Sequence, residues 1–266
     1  MKNWVLGLCI GVLVCGCKTS PTGRTQIALY SSSQMAELGN ASFEELKKST
    51  PIENEPTVNT YVQCVANKII NELPNELRNQ QWEVVVFKDP TANAFALPGG
   101  KIGVHTGLLE VARSQHQLAA VIGHEVAHVI AEHANERMSQ GALVQTGLQI
   151  GSAALQMGEV QYRGEIMQAL GLGAQLGIVL PFSRSHESEA DIVGLEYMAK
   201  AGFDPNGAVL LWENMNKNAG ERQPEFLSTH PAPENRMSKL KQALPKVSPL
   251  LEQAKAEGKR ANCKAV

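Results

Sequence analysis

The stretch Ala120-Val-Ile-Gly-His-Glu-Val-Ala-His128 decides how this chain is read. Two histidines stand four residues apart, and a glutamate follows the first. On an α-helix a step of four returns nearly to the same face. His124 and His128 can therefore point at one metal ion, as two of the three protein ligands of an open zinc site. Glu125 then sits where it can hold a zinc-bound water and take its proton. The flanking residues favour a helix. Leu118, Val121, Ile122 and Val129 form an apolar stripe at helical spacing. Ser114 is placed as the N-cap, with Gln117 three residues on for a capping box.

An open zinc site needs a third protein ligand. Glu132 continues the histidine face, but it lies ~12 Å along the axis from His124 at a rise of ~1.5 Å per residue. His133 is one place off the pattern in which a third histidine follows a glycine turn. That pattern needs Gly at 131 and His at 134, where this chain has Ala131 and Ala134. Both residues are expected to be exposed near the helix end. The third ligand should come from another helix, and Glu187 in Glu187-x-x-x-Asp191 is the best candidate. Four-residue spacing puts both carboxylates on one face. Glu187 can reach the zinc while Asp191 accepts the outer N–H of a ligand histidine and fixes its tautomer. Glu189 points away from that face. Ala190 and Gly194 are small, as expected where this helix presses on the zinc helix.

The balance of 24 basic and 26 acidic residues, with no long basic run, gives no nucleic-acid signature, and no nucleic-acid partner is expected. The length suits one large domain plus a tether. Lys2 and the apolar run Trp4 to Val14 read as a signal segment, since eleven apolar residues fall short of the ~20 a membrane span needs. Val14-Cys15-Gly16-Cys17 resembles the lipobox of bacterial lipoproteins. That resemblance implies removal of residues 1–16, a lipid on Cys17 and a polar linker over 17–33. Cys64 and Cys263 remain as an even pair in an oxidising compartment, and a disulfide is the expectation; two thiols are the alternative, because spacing does not show proximity.

The domain proper is expected over 34–251. Helices are expected at Gln34 to Lys48 and Val58 to Ile69, and a strand at Trp82 to Lys88. Asn93-Ala-Phe-Ala-Leu-Pro-Gly-Gly-Lys-Ile-Gly-Val-His reads as strand, turn and strand, with Pro98 placing the first strand at an edge. An edge strand near a zinc cleft could pair with an extended substrate, which makes Asn93, Ala94, Phe95 and Ala96 candidate substrate contacts. An ordinary core hairpin fits the pattern equally well. His105 and His116 have no partner spacing and read as structural. Residues 138–183 hold two charge-free runs and eight glycines, which suits two buried helices or a lid. A helix to about Ala201, another from Asp204-Pro205 to about Asn218, a loop over Glu225 to Pro233 and a last helix from about Glu234 follow. Residues 252–266 read as a charged, mobile tail.

Asn93-Ala-Phe-Ala96, Pro98-Gly-Gly-Lys-Ile102, His124-Glu-Val-Ala-His128, Ser183-Arg184 with Glu187-Ser-Glu-Ala-Asp191, and Ser228-Thr-His-Pro231 together resemble one family. It is the zinc endopeptidase family of the CAAX prenyl protease and bacterial HtpX. Within it the chain is most similar to the lipid-anchored envelope peptidases such as LoiP and BepA. The resemblance implies a gluzincin: an α+β, mainly helical fold with a small antiparallel sheet beside the zinc helix. It implies one zinc ion on His124, His128 and Glu187, with Glu125 as base and His230 near the reacting centre. It further implies a peptidase of the bacterial cell envelope that acts on misfolded or misassembled proteins. Lys18 after Cys17 points to the outer membrane. At 138–183 the chain departs from the integral-membrane members, which carry spanning helices there. His230 has two useful places: donating to the oxyanion of the reaction, or filling the open zinc position. The rival class is a zinc-containing chaperone or outer-membrane assembly factor with little proteolysis. A closed four-ligand site would favour that rival.

Overall fold

A helix that is apolar on all sides has to be buried on all sides. That is the position of α5 (Gln115–Ile130), in which every residue from Gln117 to His128 is buried. Ser114 caps it by accepting the backbone N–H of Gln117. The computed structural model describes residues 17–154, 182–218, 225–230 and 236–264. In chain order the other elements are β1 (Cys17–Thr19), β2 (Thr25–Ile27), α1 (Ser32–Ser49), α2 (Pro56–Ile70) and α3 (Asn75–Arg78). Then come β3 (Glu83–Phe87), β4 (Ala94–Leu97), β5 (Lys101–His105) and α4 (Thr106–Val111) ahead of α5. After it follow α6 (His133–Ala154), α7 (Arg184–Lys200), α8 (Asn206–Asn218), α9 (Glu225–Thr229) and α10 (Arg236–Ala256). The α+β, mainly helical expectation holds.

Around α5 pack α2, α7, α8 and the sheet. The crossing with α7 is close because two glycines meet there. A Cβ on Gly123 would lie 2.9 Å from the Gly194 carbonyl oxygen, and one on Gly194 would lie 2.8 Å from the His124 nitrogen. The two backbones therefore touch at the first histidine of the motif, as the small residues of α7 foretold.

The sheet has the order β3-β5-β4. β4 and β5 form an antiparallel hairpin through Pro98-Gly99-Gly100, whose glycines take the left-handed φ values of 88° and 79°. The expected all-antiparallel sheet is corrected to a mixed one, because β3 pairs with β5 in parallel. The chain passes from β3 to the far edge as β4 and returns between them as β5. β4 is thus an edge strand, as Pro98 indicated.

The N-terminal linker and the C-terminal tail both differ from the sequence reading. Residues 17–27, expected as linker, form the β1–β2 hairpin. Arg24 on that hairpin reaches two buried carboxylates, Glu136 and Glu189, and this holds it in place. The expected mobile tail is docked. Cys263 is bonded to Cys64, with their Cα atoms 5.7 Å apart. Gln115 grips the tail from both sides, accepting from the Cys263 N–H and donating to the Ala261 carbonyl. Lys259 pairs with Glu72 at 2.7 Å. The loop expected over Glu225 to Pro233 contains the short α9, and residues 231–235 lie outside the described residues. So do the signal segment 1–16 and, within 138–183, residues 155–181. Residues 138–154 continue α6. Among the described residues no helix is long and apolar enough to cross a membrane.

Candidate metal centre

The four-residue step on α5 turns both histidine rings to one side. Their Nε2 atoms lie 3.1 Å apart. α7 brings in Glu187 from its first turn, with Ser183 as cap accepting the His186 N–H. Glu187 Oε2 is 3.3 Å from His124 Nε2, and Oε1 is 3.6 Å from His128 Nε2. The end of α9 supplies His230, whose Nδ1 is 3.1 Å from Glu187 Oε1 and 3.4 Å from His124 Nε2. One ligand atom from each of these four buried residues lies within 4.8 Å of the others. Two imidazole Nε2 atoms, a carboxylate and a further imidazole are a donor set for zinc.

Charge supports the same reading. Burial works to raise the Glu187 pKa, yet the bonds from His124 and His230 hold it well below the usual carboxylate range. Burial also disfavours charge on His124, yet Asp191 and Glu187 raise it to about 9. The carboxylates thus call for a positive charge at this point. His128 goes the other way, because burial keeps its imidazole neutral, as a metal ligand must be. Glu125 stands beside the group. Burial pushes its pKa up. Its Oε1 is 3.4 Å from His230 Nε2 but has no hydrogen-bond partner among the described residues. A buried, unpartnered carboxylate oxygen facing a metal group is suited to a water molecule or a proton.

Asp191 takes the expected outer position, accepting from His124 Nδ1 at 3.1 Å. Sequence reasoning missed Arg236. Its guanidinium donates to Asp191 at 2.7 Å and to Glu187 at 3.0 Å, and it lies 4.0 Å over the Trp212 ring. The available signal was electrostatic: two buried carboxylates on one helix face require a buried cation. His133 corrects the expectation of an exposed residue. It is fully buried, with Nδ1 2.8 Å from His128 Nδ1 and Nε2 3.1 Å from Glu189 Oε2. Glu132, in the left-handed region at φ 51°, turns the chain between α5 and α6 and brings His133 back onto α5. Glu132 itself stays at the surface, paired with Lys18. Glu189 faces away from the metal group, as read. His105 contacts Thr91, and His116 accepts the Asp204 N–H, both away from the centre.

The edge strand runs past Glu125. The His105 N–H donates to the Asn93 carbonyl, so by antiparallel alternation the backbone groups of Ala94 and Ala96 point away from β5. The Ala96 N–H meets the Glu125 carboxylate, and the Ala94 N–H meets the Asn93 side chain. Phe95 turns inward onto Phe43 and Phe87. A cavity of about 500 Å³ lies along this edge, lined by Met35, Ala96, Pro98, His128, Ile130 and Phe182 among others. Cys17, the expected lipid site, is exposed at the start of β1.

The sequence profile of peptidase family M48 matches residues 56–244. The chain is 38% identical over 187 residues to the mitochondrial metalloendopeptidase OMA1 of Schizosaccharomyces pombe, covering 70% of this chain and 52% of that protein. To the zebrafish (Danio rerio) metalloendopeptidase OMA1 it is 35% identical over 240 residues, or 84% of this chain and 49% of that one. To the beta-barrel assembly-enhancing protease of Escherichia coli K12 it is 26% identical over 237 residues, 87% of this chain and 48% of that one. The chain spans about half the length of these relatives.

Proposed function

Since the chain belongs to peptidase family M48, we propose that it is a zinc-dependent endopeptidase of the bacterial cell envelope. The observation that carries the reading is the buried group of His124, His128, Glu187 and His230 with the unpartnered Glu125 Oε1 beside it. His124, His128 and Glu187 would hold the ion. When bound, zinc supplies Lewis acidity, which activates a water molecule and polarises the scissile carbonyl. Glu125 Oε1 would take a proton from the attacking water and return it to the leaving amine. Asp191 holds the His124 ring by its Nδ1–H, and Arg236 holds both carboxylates. Ala96 and Pro98 at the edge of β4 border the cavity, which suits an extended substrate laid along this strand.

The family match supports placing the peptidase domain within 34–251. Unfolded or misassembled envelope proteins are the proposed substrates, and the similarity to an Escherichia coli protein named for beta-barrel assembly supports that choice. The mitochondrial relatives match at higher identity, 38% against 26%, and support peptidase chemistry without the envelope setting. A lipid on Cys17, facing the periplasm from the outer membrane, is the proposed anchor.

One observation favours a second reading. His230 converges with the other three residues, so four protein groups surround the centre. That geometry suits a resting state blocked by His230, or a zinc-holding binding protein with little proteolysis. The test is zinc content and casein cleavage of the purified protein. Glu125→Gln should keep the zinc and lose ~10²–10⁴-fold in rate, as general-base removal does. Cleavage at the wild-type rate would overturn the mechanism. His230→Ala should raise the rate if His230 blocks the ion and lower it if His230 stabilises the oxyanion. No cleavage by any variant, with zinc bound, would favour the binding protein.

A further inference from the structure

The two α5 histidines face the centre through Nε2. Each must therefore carry its proton on Nδ1, and each Nδ1–H needs an acceptor. For His124 the acceptor is the Asp191 carboxylate. For His128 it is another imidazole, since His133 Nδ1 lies 2.8 Å from His128 Nδ1. Two ring nitrogens at that distance share one proton. His128 donates it, so His133 accepts at Nδ1 and has its own proton on Nε2. That second N–H meets Glu189 Oε2 at 3.1 Å. A doubly protonated His133 would set N–H against N–H and break the chain of bonds.

Glu189 is held in turn by the N-terminal hairpin. Thr22 donates to Oε1 through its hydroxyl at 2.6 Å and its backbone N–H at 3.2 Å. Arg24 donates to Oε2 through two nitrogens, at 3.0 and 3.2 Å. The same guanidinium grips both oxygens of Glu136 at 2.7 Å, and Glu136 accepts from His186. His186 stacks on His133 with ring centroids 4.3 Å apart. Phe182 stacks on His128 at 4.0 Å. The His128 ring is thus fixed on one face by Phe182 and at its outer edge by His133.

We propose that His133 is a positioning residue for the metal centre: it fixes the tautomer and tilt of His128 and ties that ligand, through Glu189, to Arg24 of the N-terminal hairpin. The proposal rests on the reading of His128 as a zinc ligand. Its consequence is that residues 17–27, adjoining Cys17, help set metal affinity although they lie far from the motif in sequence.

The test is zinc affinity of the full chain, read by competition with a chromophoric chelator, alongside melting of the metal-free protein. His133→Phe keeps a buried ring and removes both nitrogens. It should weaken zinc binding ~10–100-fold, the range for outer partners of metal ligands. Should His133→Phe fail to fold, the Asn and Gln variants decide the matter. His133→Asn places an acceptor near the Nδ1 position and should recover most of the affinity. His133→Gln places its amide near Nε2, out of reach of His128, and should not. The visible spectrum of the cobalt-substituted protein should shift in the Gln variant and stay close to wild type in the Asn variant. Equal affinities in Asn and Gln variants, or wild-type affinity in His133→Phe, would overturn the proposal. Glu187→Ala, measured beside them, separates the two levels. If it keeps zinc as well, the metal-site reading falls; if it alone loses zinc, only the role of His133 falls.

Discussion

The two sides of the metal centre solve one problem with different chemistry. On the His124 side a carboxylate, Asp191, accepts the outer N–H, and a buried arginine, Arg236, neutralises it from α10. On the His128 side an imidazole accepts, a carboxylate lies one step further out, and the neutralising arginine comes from the hairpin. The difference is one of depth. The Arg236 side chain is 3% exposed and that of Arg24 is 28% exposed. Solvent shares the work on the second side and is shut out of the first.

That difference in depth sets the largest expected effect. Removing one partner from a buried ion pair costs about 3–5 kcal/mol, because the remaining charge has no solvent. Arg236→Ala leaves Glu187 and Asp191 in that condition, so urea unfolding of the metal-free protein should show a loss of that order. Glu136 and Glu189 are also buried, but Arg24→Ala removes a part-exposed side chain and so opens a path for water to them. Its cost should fall between the ~1 kcal/mol of surface pairs and the buried value. Equal losses in the two variants would mean that the two sides are alike and depth is not what separates them.

Asp191→Ala tests the His124 side at the metal itself. It should weaken zinc binding ~10–100-fold, the range given above for a ligand's outer partner. Asp191→Asn should do less harm, since the amide oxygen still accepts the His124 Nδ1–H. Unchanged affinity in Asp191→Ala would show that Arg236 and packing alone orient His124.

The same two sides explain what could be read from the sequence. His124, Glu125, His128, Glu187 and Asp191 come together through helical steps of four, and that period is written in the chain. The β4–β5 hairpin was legible from Pro98-Gly99-Gly100. The His128 side was not legible, because its contacts depend on geometry with no period. A single left-handed residue, Glu132, reverses the direction in which His133 points. Arg24 lies in a short polar stretch with no apolar alternation, so nothing local marks it as half of a buried network. The docked tail fails for the same reason: its charges face solvent, and only Cys263 hinted at the bond that holds it. The parallel pairing of β3 with β5 is likewise a matter of where the chain returns, not of composition.

The smallest expected effect probes what the two sides share, the contact of α5 with α7. A methyl group on Gly194 would sit 2.8 Å from the His124 nitrogen and 2.9 Å from the Gly123 carbonyl carbon. These are backbone atoms inside a helix, so they cannot yield as a flexible side chain would. The helices must separate by some tenths of an ångström, at a cost of about 1–3 kcal/mol for overpacking. Glu187 and Asp191 move with α7, whereas His133 follows α5 through the turn at Glu132. Separation should therefore loosen the His124 side and leave the His128–His133 bond intact. Gly194→Ala should lower zinc affinity modestly, and Asp191→Ala added to it should cost less than Asp191→Ala alone, since the Asp191–His124 bond is already stretched. His133→Phe added to Gly194→Ala should cost its full amount. Full additivity of both pairs would show that the crossing does not transmit to either histidine, and the glycines would then serve packing alone.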